Sequence, residues 1–136
     1  MSHLVVFVTV PSSEEAQRIA RVVVDERLAA CANIVSGVAS RYWWNGRVEE
    51  AAEVLLILKT RQALLEALTA RVRSLHSYTI PEVIAVPILG GNPEYLTWID
   101  DSTASSQSAP STQSSPSGTD SGRLKSGKTG KTGKTG

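Results

Sequence analysis

The sequence predicts an α+β fold, a ferredoxin-like sandwich in which an antiparallel sheet carries both of its helices on one face. Three observations predict it. Apolar periodicity switches between two and about 3.6 residues in the order β-α-β-β-α-β, the middle two strands meet at Asn45-Gly46, and a further short helix follows the last strand.

Leu4 to Val10 is apolar and β-branched and stops at Pro11, as a central strand entering a turn does. Ser12, with Glu15 three places on, reads as a capping box. The helix it opens places Ala16, Ile19, Ala20 and Val23 on one stripe. Ala29 to Trp44 is rich in strand formers, with Ser36-Gly37 expected to make a bulge. Asn45 and Gly46 both tolerate the positive φ of a type I′ turn, so the chain reverses there. Glu53 to Thr60, EVLLILKT, returns as a strand whose nearly continuous apolar run predicts burial on both faces. Leu64, Leu65, Leu68, Val72 and Leu75 mark a second amphipathic helix ending near His76. Val83 to Ile88 is a short strand whose Pro87 puts it at an edge, and Glu94 to Ile99 is the closing helix. Helices on one face leave the other needing a cover, which a small domain often finds in another subunit.

Residues 1–101 form one expected domain, since roughly 100 residues suffice for one core and not for two. Residues 102–136 are almost devoid of apolar side chains and are expected to be a disordered tail. The charges divide in the same way: nine Arg or Lys against twelve Asp or Glu before residue 102, five against one after it. A handful of spaced lysines with no aromatic partners makes a poor nucleic-acid site, so no nucleic acid is expected. Gly122 to Thr129 fits the phosphate-loop pattern G-x-x-x-x-G-K-[ST]. It lacks the preceding strand and following helix that would converge backbone amides on a phosphate, so no nucleotide is expected.

Cys31 is the sole cysteine, which excludes an intramolecular disulfide and points to a reducing, cytoplasmic setting. No apolar run is long enough to span a bilayer as a helix, and no membrane partner is expected. No Ser/His/Asp order, zinc-spaced Cys/His set or dinucleotide glycine fingerprint occurs in residues 1–101, so nothing argues for an enzyme.

The chemistry-bearing candidates are few. Cys31 and His76 are soft-metal donors suited to copper, although a lone Cys in LAACANI also reads as a small buried hydrophobe and His76 as a helix cap. His3 is a weaker third. Glu49, Glu50 and Glu53 crowd the hairpin and read as a solvated, charged strand end. Lys59 and Glu82 border apolar strands, where each needs a partner or a cleft. Trp43 and Trp44 next to a turn read as a partner surface, with Trp98 in the closing helix.

The segments VTVPSSEEAQRIARVVVDERLAACANIV, YWWNGRVEE, EVLLILKT, HSYTIPEVIAVPI and YLTWI resemble, in this order and over residues 4 to 99, the CutA divalent-cation tolerance family. The resemblance implies a ferredoxin-like protomer in a tight homotrimer, related in shape to the trimeric nitrogen-regulatory signal proteins. It implies cytoplasmic bacterial or organellar members tied to copper tolerance, with no established reaction. Cys31 and His76 match positions it links to metal binding; Trp44, Lys59, Tyr78 and Glu82 match positions near the cleft between protomers. The expected function is therefore a non-catalytic trimer binding copper or a similar divalent ion. The alternative is a trimeric sensor of a small ligand, or a scaffold that docks an unknown protein partner. One departure is His76-Ser77-Tyr78 where the family usually has His-Pro-Tyr, which should leave the backbone after His76 less restrained.

Overall fold

The computed structural model describes residues 2–104. The elements run β1 (His3–Val10), α1 (Ser13–Asp25), β2 (Cys31–Trp44), β3 (Arg47–Arg61), a 3-10 turn (Gln62–Leu64), α2 (Leu65–Leu75), β4 (Val83–Pro87) and α3 (Pro93–Ser102). The strands form one four-stranded sheet in the order β2-β3-β1-β4, every neighbouring pair antiparallel. The expected element order holds, β1 is central, and Pro87 lies on the edge strand where its missing N–H costs no ladder bond.

Register decides what each face carries. Leu4, Val6, Val8 and Val10 of β1 stand opposite Thr60, Leu58, Leu56 and Val54 of β3, and all eight are buried. They pack with Ala16, Ile19 and Val23 of α1 and with Leu68 and Val72 of α2 in one core. Each such aliphatic side chain contributes about 1.5–3 kcal/mol on leaving water, so this face holds the fold together.

The opposite face is less covered. Val5, Phe7, Leu55 and Ile57 are only half-buried, and Ile84 and Val86 are exposed. The burial of EVLLILKT is thus one-sided within the chain, contrary to the two-sided expectation. The reason is that α1 and α2 both pack against the face carrying Leu56 and Leu58.

The hairpin is longer than the sheet that supports it. β1 reaches along β3 only from Arg61 to Val54, so the stretch of β3 from Arg47 to Glu53 pairs with β2 alone. The β2–β3 register shifts between Val35 and Val38, at the predicted bulge, where Gly37 has φ +83°. At the tip Asn45 and Gly46 have φ of 53° and 75°, both positive as a type I′ turn requires. Beyond the bulge Tyr42, Trp43, Trp44 and Val48 are exposed, Trp43 to 73%.

Three boundaries differ from expectation. β3 begins at Arg47 instead of Glu53, because its first residues take their hydrogen bonds from β2 and need no apolar face of their own. β2 starts at Cys31, since the Ala29 N–H closes the turn after α1 on Val23 O and only the Ala30 N–H turns to β3, at Lys59 O. α3 runs from Pro93 through Ser102, capped by Asn92, beyond the expected Glu94 to Ile99. The tail expectations and the phosphate-loop pattern at Gly122 to Thr129 lie outside the described residues.

Candidate functional site

The predicted site residues separate into two clusters and one isolated position. Lys59 and Glu53 are six residues apart on β3, or about 20 Å along the strand, and each heads one cluster.

The first cluster lies at the end of the sheet where β2 begins. Cys31 and Lys59 are register partners, in phase with half-buried Ile57 and out of phase with buried Leu58, so both belong to the less covered face. The Lys59 ammonium donates to the Asn33 side-chain carbonyl. The half-buried Cys31 Sγ lies 3.7 Å from the Tyr95 hydroxyl of α3. Desolvation, reinforced by the nearby Cys31, pushes the Tyr95 hydroxyl well above the ordinary phenol value, so it stays protonated, and either group can donate across this contact. His3 and Arg61, also partners on this face, reach α3 as well. His3 Nε2 is 3.0 Å from Asp100 Oδ1, and Arg61 donates to Thr103 Oγ1 at 2.8 Å and to Thr103 O at 3.0 Å. Helix α3 therefore covers this end of the face and leaves its centre bare.

The second cluster lies at the opposite end, around Thr9. The His76 ring is buried, with Nε2–H donating to the Thr9 carbonyl at 2.7 Å and Nδ1 accepting the Tyr78 N–H at 3.0 Å. Those two bonds select the Nε2-protonated neutral tautomer. Glu15, buried in the first turn of α1, accepts from the Ser77 N–H and the Ser77 hydroxyl, each at 2.8 Å, and its Oε2 is 3.4 Å from His76 Nδ1. The Tyr78 hydroxyl donates to Glu53 Oε2 at 2.7 Å. Desolvation and then this carboxylate drive the Tyr78 hydroxyl far above its ordinary value. The Thr9 hydroxyl donates to Glu82 Oε1 at 3.2 Å. His76, Tyr78 and Glu82 are thus brought together by Thr9; Trp44 stands apart, exposed on the projecting hairpin.

Two members of this cluster depart from the sequence expectation. Glu53 groups in sequence with the solvated Glu49 and Glu50, yet it is buried, because Tyr78 folds over it. Its phase with Leu55 and Ile57 separates it from Glu50 but not from Glu49, which shares that phase, so no local signal sets Glu53 apart from both. Glu15 reads in sequence as half of a capping box. Ser12 Oγ does accept the Glu15 N–H at 3.2 Å, but the Glu15 carboxylate is turned to Ser77. Ser77 also corrects the expectation of a looser backbone after His76. A proline there would offer Glu15 neither donor, whereas serine offers two.

Within one chain the described residues do not assemble a metal centre. Both His76 nitrogens are engaged, and among the described residues no group of three or more His, Cys, Asp or Glu side chains is placed to hold an ion. No described helix is long and apolar enough to cross a membrane.

Comparison with known proteins places this geometry. The family model described as CutA1 divalent ion tolerance protein matches residues 4–102. Protein CutA 1, chloroplastic, of Oryza sativa subsp. japonica is 54% identical over 103 residues, 76% of this chain and 58% of the relative, so the chain spans little over half of that protein. The solved divalent cation tolerance protein (Cut A1) of Thermus thermophilus is 50% identical with a TM-score of 0.74, covering 75% of this chain and 99% of that one. The structure titled periplasmic divalent cation tolerance protein CutA from Archaeoglobus fulgidus is 41% identical with a TM-score of 0.73, covering 75% of this chain and 99% of that one. The family takes its name from tolerance of divalent ions and not from a catalysed reaction. With the fold, the match over residues 4–102 and identities of 41–54% in agreement, the chain belongs to the CutA1 divalent ion tolerance protein family.

Proposed function

We propose that the chain serves divalent-cation tolerance as a non-catalytic homotrimer of ferredoxin-like protomers. In this reading it binds copper or a similar divalent ion through Cys31, with further donors supplied by another copy. The observation that carries the reading is the half-buried Cys31 thiol beside the bare centre of the sheet face. Thiolate is a soft ligand, and among the described residues one chain gathers no set of three His, Cys, Asp or Glu donors, so a completed site draws on a neighbouring subunit. The assembly is supported by Ile84, Val86 and the exposed Trp43 and Trp44, too much apolar surface for a chain this small to leave in water. His76 acts in this reading as a structural pin, since ligation would require it to release Thr9 or Tyr78. A cytoplasmic location belongs to the same proposal and rests on the single thiol.

Equilibrium dialysis of the full chain against Cu²⁺ and Zn²⁺, with the mass in solution measured in parallel, tests it. The expected result is a trimer whose metal affinity is lost in Cys31→Ser. Undiminished binding by Cys31→Ser removes the ligand assignment, and a monomer at micromolar concentration removes the assembly. Trp43→Glu is expected to weaken the trimer.

A second reading, a trimer that senses a small ligand in its inter-subunit clefts, is favoured by the polar group of Tyr78, Glu53, Thr9 and Glu82 bordering the same bare face. A metabolite retained in dialysis by the wild type and released by Lys59→Ala or Tyr78→Phe would support it.

A further inference from the structure

Helix α3 is attached differently from the other two helices. α1 and α2 each bury several side chains in the main core, whereas within α3 only Ile99 is fully buried and Leu96 and Trp98 are half-buried. Most of what holds α3 is polar, part-buried at His3 and Arg61 and exposed at Arg27. His3 meets Asp100, Arg61 donates to Thr103, and Arg27 Nη1 donates to Ser102 O at 2.9 Å. A hydrogen bond of this kind nets little over the water it replaces when the helix lifts away, so Ile99, the one fully buried side chain of α3, is its main apolar anchor.

The connection to the sheet is equally spare. The last tie is the Ile88 N–H to His3 O at 2.9 Å. Leu89 is then fully exposed, and a Cβ added to Gly90 or Gly91 would meet nothing within 4 Å. Residues 89–91, exposed between the tied Ile88 and the capping Asn92, therefore have the backbone freedom and the absence of packing of a hinge. Within α3 the Tyr95 and Trp98 rings stack at 5.2 Å, so the helix carries Tyr95 as one piece with its anchor turn. What Tyr95 meets on the body is Cys31.

We propose that α3 is a hinged cover over the Cys31 thiol, closing with Tyr95 against the sulfur and opening about Gly90-Gly91 while the sheet and the α1–α2 core stay intact. A segment with one buried anchor opens at a lower free energy than the core that carries it, so the open form is reached without unfolding. The cover regulates whatever Cys31 reacts with, and only its relevance to metal rests on the preceding proposal.

The test follows thiol access and uses no metal. The full chain is treated with a thiol-specific disulfide reagent in excess at fixed pH, and Cys31 labelling is compared with hydrogen exchange of the α3, β1 and β3 amides. Ile99→Ala is expected to label at least about tenfold faster, the least that deleting a buried anchor should do to an opening equilibrium. Asp100→Ala and Arg27→Ala, which cut one latch each, should label a few-fold faster. Exchange should rise in α3 and stay unchanged in β1 and β3. Equal labelling rates in all variants overturn the cover, as does acceleration that appears only with lost protection in β1 and β3. Failure of metal binding in dialysis leaves these rates untouched, so the two proposals fail separately.

Discussion

The Glu15 carboxylate, buried at the start of α1, closes on Ser77 with one oxygen on its N–H and the other on its hydroxyl, both at 2.8 Å. This joins the first helix to the turn after the second across 62 residues of sequence. A buried carboxylate without donors is expensive, so each of the two bonds matters. Ser77→Ala removes the hydroxyl and keeps the N–H. Its expected cost is about 1.5–3 kcal/mol in chemical denaturation, the range for a hydrogen bond to a charged group. No measurable change would mean that water replaces the hydroxyl without loss.

His76→Ala is expected to cost more, about 2–4 kcal/mol, because it leaves the Thr9 carbonyl and the Tyr78 N–H without their partner and opens space in a buried site. Thermal denaturation of the metal-free protein reads it directly. A variant as stable as the wild type would show that His76 is not a pin and would return it to the candidate ligands.

Gly46→Ala places a side chain on a residue with φ +75° and is expected to destabilise by roughly 1–2 kcal/mol, the cost of left-handed backbone for an L-residue. Gly91→Ala, where the added Cβ meets nothing within 4 Å and φ is not positive, should be neutral. Denaturation midpoints of the two variants, side by side, separate conformational strain from the general effect of replacing glycine.

Alkaline pH should destabilise the fold through its tyrosines. Tyr78 and Tyr95 both hold their protons more tightly in the folded state, each chiefly through desolvation. A raised folded value means the contribution is complete below the unfolded phenol value near 10 and is lost as pH rises beyond it. Denaturation midpoints from about pH 8 to pH 11 should fall above roughly pH 10. The double variant Tyr78→Phe/Tyr95→Phe should fall less steeply, and an identical slope would remove both phenols from the cause.

Much of this architecture could be read from local patterns. Pro11 and Pro87 marked strand ends, Ser36-Gly37 the bulge and Asn45-Gly46 the reversal, because each imposes a backbone restraint wherever it occurs. The apolar phases of β1, α1 and α2 identified the core for a similar reason: a fixed period aligns side chains on one face before any neighbour is known. The site was only partly legible. Lys59 and Glu82 announced a need for partners, but the partners turned out to be the neutral side chains of Asn33 and Thr9.

Pairing across distance was decided by the tertiary structure alone. Nothing local to Glu15 points to Ser77, nothing in LAACANI points to Tyr95, and the left-handed φ of 61° at Arg27 carries no glycine to announce it. The separation of Cys31 from His76, and the half-bare sheet face between their two clusters, follow from which strands meet in which register. Local sequence sets the backbone period and the turns, because those depend on sterics within a few residues. Side-chain partners far apart in sequence are chosen only when the sheet and helices pack, since the cost of burying a polar group is incurred there and is met by whichever donor the packing brings near.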